Sequence, residues 1–180
     1  SWKTSEFAYR KSNSTDSQLP TLARGLFTQP IYSPSSPTAS EHQPACHRIA
    51  VRGYDKFFNV GEMPWTKPES IRLYTTPPYE VTFKENGCII FASALSPQRI
   101  VVTSKHSLGP SPQNTGPSHA EKGEEWLERH LGAKGRTKSE LANELWRRNE
   151  TAVFELCDDS FEEHVIEYPK EKTGLHLHGL

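Results

Sequence analysis

Residues 81–95, Val-Thr-Phe-Lys-Glu-Asn-Gly-Cys-Ile-Ile-Phe-Ala-Ser-Ala-Leu, constrain the chain most. A single lysine, Lys84, sits among apolar and β-branched residues. Asn86-Gly87 most readily supplies two residues at positive φ for a tight turn, so the stretch predicts a β-hairpin with Lys84 at the end of its incoming strand. A lysine beside such a turn is ordinarily solvated. A nucleophilic lysine is the other reading. It must be neutral to attack phosphorus or carbon, so its pKa has to fall from about 10.4 through desolvation or neighbouring cations. Ile89, Ile90 and Phe91 could supply apolar walls, and Lys-x-x-Gly by itself decides neither reading.

The rest of the chain frames that stretch. At 180 residues it is long enough for one domain with its own core. A hydrophobic fraction of 34% and 14 prolines predict long loops around a modest core. With 21 basic and 22 acidic side chains, net charge gives no support for a nucleic-acid partner, which would need a local basic patch. Three cysteines argue against a disulfide scaffold and for a reducing compartment. Cys88 and Cys157 lie in apolar runs and read as small core residues. No run approaches the roughly 20 apolar residues of a membrane span and no signal peptide opens the chain. The expectation is a soluble intracellular protein, cytoplasmic or nuclear.

Residues 1–18 mix Trp2, Phe7 and Tyr9 with polar residues, as an arm that docks its aromatics would. Arg24-Gly25-Leu26-Phe27 reads as the end of a strand, and residues 29–45 as a Pro/Ser-rich loop. Residues 47–52 alternate as a strand, and Lys56-Phe57-Phe58 is either core or site. Residues 63–78 read as loop with one short helical turn. Residues 100–103 predict a strand paired with the outgoing arm of the hairpin. Ser118-His-Ala-Glu121 and Thr137-Lys-Ser-Glu140 are capping boxes that open helices to about Leu131 and Asn149. Both helices should face one sheet. Residues 151–156 and 174–180 complete it. Strands and helices do not alternate, so the class is α+β with antiparallel sheets and a two-helix insertion.

Lys84-Glu85-Asn86-Gly87-Cys88-Ile89-Ile90-Phe91 resembles the first nucleotidyltransferase motif of RNA ligases, most closely the ligase domain of the fungal tRNA ligases of tRNA splicing. Leu22-Ala-Arg-Gly-Leu-Phe27, Arg52-Gly-Tyr-Asp-Lys-Phe-Phe-Asn59, Val102-Thr-Ser-Lys-His-Ser-Leu-Gly109, the helix opening at His119-Ala-Glu, and Phe154-Glu-Leu-Cys-Asp-Asp-Ser-Phe-Glu-Glu-His164 resemble that family in the same order. The resemblance covers nearly the whole chain and implies a covalent nucleotidyltransferase fold.

It also implies an ATP-dependent ligation. A lysine is adenylated, AMP passes to an RNA 5′-phosphate, and the 3′-OH end, which bears a 2′-phosphate in this subgroup, is joined. On this reading Lys84 is the nucleophile and Arg24 and Lys56 bind phosphate; a guanidinium stays charged when enclosed and can grip two phosphate oxygens. Thr82 and Phe83 offer backbone to the adenine edge, Asn86 and Gly87 complete the motif, Phe154 packs near the base and Glu155 contacts the ribose. Lys105 is a candidate contact to nucleotide or RNA, and His119 and His164 match histidines that could recognise the RNA end. Mg2+ is the implied ion, with Mn2+ able to substitute.

His176 and His178 share a strand face but have no third ligand nearby in sequence, which argues against zinc; fungal tRNA ligases carry Gly-Leu-x-Leu-His-Gly-Leu here, and the resemblance implies that His178 serves the fold or the pocket rim. Asp158, Asp159, Glu162 and Glu163 read as a loop and solvated face. The family's acidic metal-binding motif and its closing lysine pair find no match between Tyr168 and Leu180. The chain therefore reads as the N-terminal part of a ligase domain, incomplete at its C-terminus. It is expected to act on tRNA exon halves as a monomer, with kinase and phosphodiesterase domains downstream. Two rivals remain open: a noncatalytic RNA-binding remnant, and a capping-type enzyme using GTP.

Overall fold

A computed structural model of the protein describes residues 21–32, 46–110, 116–162 and 167–180. The chain divides into two compact units: residues 1–24 with 54–84, and residues 25–53 with 85–180. Residues 1–18 and His164 lie outside the described residues, as does most of the Pro/Ser-rich stretch.

The larger unit is built on β3 (Cys88–Ser96), an apolar strand bonded on both edges. It runs antiparallel to β4 (Arg99–Ser104), with Ile90 opposite Ser104 and Ala92 opposite Val102. On its other edge it is antiparallel to β5 (Thr151–Cys157), from Cys88 opposite Leu156 to Ser93 opposite Thr151. β6 (Gly174–Gly179) pairs antiparallel with β5, giving the order β4-β3-β5-β6. A second, two-stranded antiparallel sheet joins β1 (Leu26–Ile31) to β2 (Cys46–Arg52). The Arg52 N–H donates to Thr151 Oγ1 at 3.3 Å. Arg48 donates to the Ala94 and Leu95 carbonyls at 3.2 Å, and its guanidinium lies 4.6 Å above the Trp146 ring.

Two helices cover one face of the larger sheet, and both begin where their capping boxes predict. Before α2 (His119–Ala133), the Glu121 N–H donates to Ser118 Oγ at 3.2 Å and the Ser118 N–H to the Glu121 carboxylate at 2.8 Å. Thr137 and Glu140 repeat the exchange at 2.8 and 3.2 Å before α3 (Lys138–Arg148), which Asn149 ends in the left-handed region. Ile90, Ala92, Ala94, Val102, Ala152 and Leu156 from the sheet meet Leu127, Ala142 and Leu145 from the helices. A fully buried leucine contributes about 1.5–3 kcal/mol. Gly123 lets α2 approach closely: a Cβ there would stand 2.8 Å from Ile90 Cγ2.

In the smaller unit Ala23 bridges to Asp55, and the Arg24 N–H donates to the Tyr54 carbonyl at 2.8 Å. A 3-10 turn (Pro64–Thr66) leads into α1 (Pro68–Tyr74), a two-turn helix where only one short turn was expected. Pro68 sits at its first position, where the missing N–H costs nothing.

The α+β class, the antiparallel pairing and the two successive helices agree with the sequence. Two expectations change. Arg24-Gly25-Leu26-Phe27 begins a strand rather than ending one, and β1 takes in residues 29–31 of the expected loop. The hairpin at Asn86-Gly87 does not form: residues 81–86 carry no strand pairing and Gly87 is not at positive φ. Both edges of β3 are occupied by β4 and β5, which leaves no edge for the residues before it.

Candidate active site

The sequence-derived site residues fall on both units. The smaller unit carries Arg24, Lys56, Thr82, Phe83 and Lys84. Arg24 is half-buried. Lys56 is enclosed: its Nζ lies 3.0 Å from Glu62 Oε1 and 4.5 Å from the centre of the Phe58 ring. Lys56-Phe57-Phe58 is thus divided, with Phe57 exposed and stacked on Tyr54 at 5.5 Å. Thr82 and Lys84 are exposed and Phe83 is 95% exposed. Of the expected apolar walls, Ile90 and Phe91 are fully buried in the larger unit.

In the larger unit the segment after Lys84 meets the β5 motif. The Gly87 N–H donates to Glu155 Oε1 at 3.0 Å. A Cβ on Gly87 would stand 2.1 Å from the Leu156 carbonyl oxygen, so close backbone approach, rather than a left-handed turn, is what requires glycine here. Tyr168 closes the same end of the sheet. Its hydroxyl accepts from the Asn86 N–H at 2.6 Å and donates to the Asn86 carbonyl at 2.9 Å. Burial and the Cys157 thiol push this phenol up to about 12, so it stays a donor. The sequence offered no signal for Tyr168, because its partner lies 82 residues away.

Phe154 and Glu155 alternate across β5. The Phe154 ring packs against the helix-side core, whereas Glu155 pairs in register with Ile89 and His176 and points to the other face. Lys105 is half-buried in the loop after β4. That loop is organised by Ser104, whose Oγ accepts from the His106 and Ser107 N–H groups at 3.3 and 3.0 Å.

His119, the first residue of α2, lies 3.1 Å from Glu162 and edge-on to the Phe161 ring at 5.1 Å. Cys88 joins them: a ligating atom from each of Cys88, His119 and Glu162 lies within 4.8 Å of the others. Burial, then the Glu162 and Glu155 carboxylates, push the Cys88 thiol up to about 12. This trio escaped the sequence reading, which treated each residue within its own motif.

Asp158 corrects the expectation of a solvated acidic face, because it is buried. Its Oδ2 accepts from Trp126 Nε1 at 2.7 Å and lies 3.5 Å from Lys122 Nζ, while Ser160 donates to Oδ1 through its N–H at 3.0 Å and its hydroxyl at 2.5 Å. Burial alone would raise this carboxyl. The hydrogen bonds from Ser160 and Trp126 and the Lys122 charge outweigh it and hold the group below the usual carboxylate range. His176 makes its own bond, to the Lys172 carbonyl at 2.7 Å.

An α+β unit that joins the Asn86-Gly87 segment to a Glu-bearing strand defines a class when set beside known sequences. A model of the RNA ligase family matches residues 22–180, and the chain belongs to that family. It is 48% identical over 191 residues to tRNA ligase 1 of Schizosaccharomyces pombe, and 47% identical over 196 residues to tRNA ligase of Candida albicans. Both matches take in all of this chain but only 23% and 21% of those proteins. The chain thus spans about a fifth to a quarter of the length of these relatives, and the resemblance to fungal tRNA ligases holds along its whole length. Among the described residues, no helix is long and apolar enough to cross a membrane.

Proposed function

We propose that this chain is the lysine-bearing part of an ATP-dependent RNA ligase domain of the nucleotidyltransferase fold, acting on the RNA ends of tRNA exon halves. The observation that supports the reading is the 3.0 Å bond from the Gly87 N–H to Glu155, which joins the Asn86-Gly87 end of the first motif to the second motif strand within the larger unit.

In the first step Lys84 Nζ, as the neutral amine, attacks the α-phosphorus of ATP. An N–P bond forms, the bond to the bridging oxygen breaks, pyrophosphate leaves with the electron pair, and the amine proton passes to solvent. Such transfer is mostly positioning and charge stabilisation. Arg24 and Lys56 supply cations, with Lys56 exchanging Glu62 for phosphate oxygens. Glu155 takes the ribose, and Thr82 and Phe83 offer backbone to the base. Phe154 supports that strand from the helix side, since its ring faces away from Glu155. Lys105, His119 and His164 serve the RNA. Mg2+ prefers oxygen ligands in an octahedron. The trio of Cys88, His119 and Glu162 does not fit that preference; Mg2+, when bound with the nucleotide, would supply charge neutralisation at the phosphates.

Incubation with Mg2+ and ATP labelled at the α-phosphate tests the reading. Acid-stable label on the wild-type protein and none on Lys84→Ala is the expected result. No label on either, even in a chain extended beyond Leu180, would leave the RNA-binding remnant as the reading that stands. Preference for GTP over ATP would point to the capping-type enzyme.

A further inference from the structure

Cys88 opens β3, His119 opens α2 and Glu162 lies in the loop after β5, yet their donor atoms converge within 4.8 Å. The pair His119 and Glu162 alone would be an ordinary exposed ion pair worth little. Cys88 alone would be a small core residue. Three different donors brought together from three elements form a set that neither description covers.

A thiol, an imidazole and a carboxylate are the donor types of a borderline-soft divalent ion; magnesium and calcium select oxygen. We propose that Cys88 Sγ, an imidazole nitrogen of His119 and the Glu162 carboxylate form a three-ligand site for a zinc-type ion, with a fourth position left open for water or a phosphate oxygen. Zinc bonds of about 2.0–2.3 Å in a tetrahedron set their donors roughly 3.5 Å apart. His119 and Glu162 are already 3.1 Å apart, and with all three donors within 4.8 Å of one another, closing on Cys88 requires a shift on the order of 1 Å at most. His119 and Glu162, with side chains 43% and 50% exposed, can supply it by rotamer change, while Cys88 is fixed by its pairing with Leu156.

The supports of the three ligands are themselves held. The Ser118 and Glu121 capping box fixes the backbone of His119, and the Phe161 ring fixes its plane. The Phe161 and Glu162 N–H groups both donate to the Asp158 carbonyl, at 3.0 and 3.1 Å, and the Asp158 side chain is anchored by Trp126 and Ser160. Second partners of this kind orient metal ligands. On loading, a metal–sulfur bond forms, the thiol proton leaves to solvent and the ion gives up bound waters. The thiolate distinguishes this site from the Mg2+ used in nucleotidyl transfer, and the proposal stands whether or not Lys84 is adenylated.

Cobalt(II) reports such a site spectroscopically. Titrated into the reduced, metal-free protein, it should give a near-ultraviolet thiolate-to-cobalt charge-transfer band that saturates at a single equivalent and is abolished by a single equivalent of Zn2+. Cys88→Ser should remove the band and Cys46→Ser should leave it. His119→Gln and Glu162→Gln, at exposed side chains, should keep the fold by circular dichroism and weaken binding by about 10-fold or more. A wild type without the band, a band that survives Cys88→Ser, or affinity unchanged in both His119→Gln and Glu162→Gln would overturn the proposal.

Discussion

Asp158 lies in a run of acids that sequence alone cannot tell apart. Burial is decided by Trp126 and Lys122, two residues on one face of α2, and nothing local to Asp158 announces them. Its carboxyl is held below the usual range, so the stability it contributes is present above the unfolded pKa of about 3.9 and is lost as pH falls through the lower folded value. Asp158→Asn keeps the shape and removes the charge. It should cost about 1.5–3 kcal/mol at neutral pH, as a hydrogen bond to a charged group does. Urea unfolding of both proteins from pH 7 down to pH 3 should show that gap narrowing as the wild-type carboxylate is protonated. A gap that stayed constant with pH would mean the group is not ionised in the fold. Gly87 is a case where the residue type was legible and its reason was not. Its neighbour Asn86 suggested a left-handed turn, but the constraint is the Leu156 carbonyl, which comes from a strand almost seventy residues away.

At the scale of elements, what is local was readable. Ser118 with Glu121 and Thr137 with Glu140 act within one turn of backbone, so both helix starts follow from a four-residue pattern. The alternation of residues 174–180 likewise gave β6. The hairpin does not form because strand partners are chosen across the chain, and β5 takes an edge of β3 that the Asn86-Gly87 pattern assigns to residues 81–84. The packing of α2 on β3 has a direct test in Gly123. Alanine there would gain about 1 kcal/mol of helix propensity. Against that, its Cβ meets three atoms of fully buried Ile90 at 2.8–3.0 Å, an overpacking that typically costs about 1–3 kcal/mol. The second effect should win, and Gly123→Ala should lower the melting temperature by a few degrees, given about 2–4 °C per kcal/mol for a chain of this size. A higher melting temperature would show that α2 has room to move away from the sheet.

Across the whole molecule the two units differ in how they are held. The larger one has a contiguous core from Ile90 to Leu175, a sheet whose inner strands β3 and β5 are bonded on both sides, and two capped helices. In the smaller one, among the described residues, the buried apolar side chains are Ala23 and Met63, while Leu73, Tyr74, Val81 and Phe83 are all at least 71% exposed. The segment that carries Lys84 therefore begins in a backbone stretch without ladder hydrogen bonds, and it ends at Gly87 and Asn86, which Glu155 and Tyr168 bind. Opening free energies range from near zero in such stretches to the global value in core strands. Amide hydrogen exchange should accordingly be slowest at Ile90, Phe91, Val153 and Leu156 and faster by orders of magnitude across residues 79–84, with the boundary falling at Asn86. Tyr168→Phe, which keeps the ring and removes the hydroxyl that bonds Asn86 twice, should move that boundary towards Cys88 while leaving the core amides unchanged. Protection running unbroken from residue 81 into β3 would instead mean that the Lys84 segment is paired as a strand, and that the hairpin read from Asn86-Gly87 forms in solution.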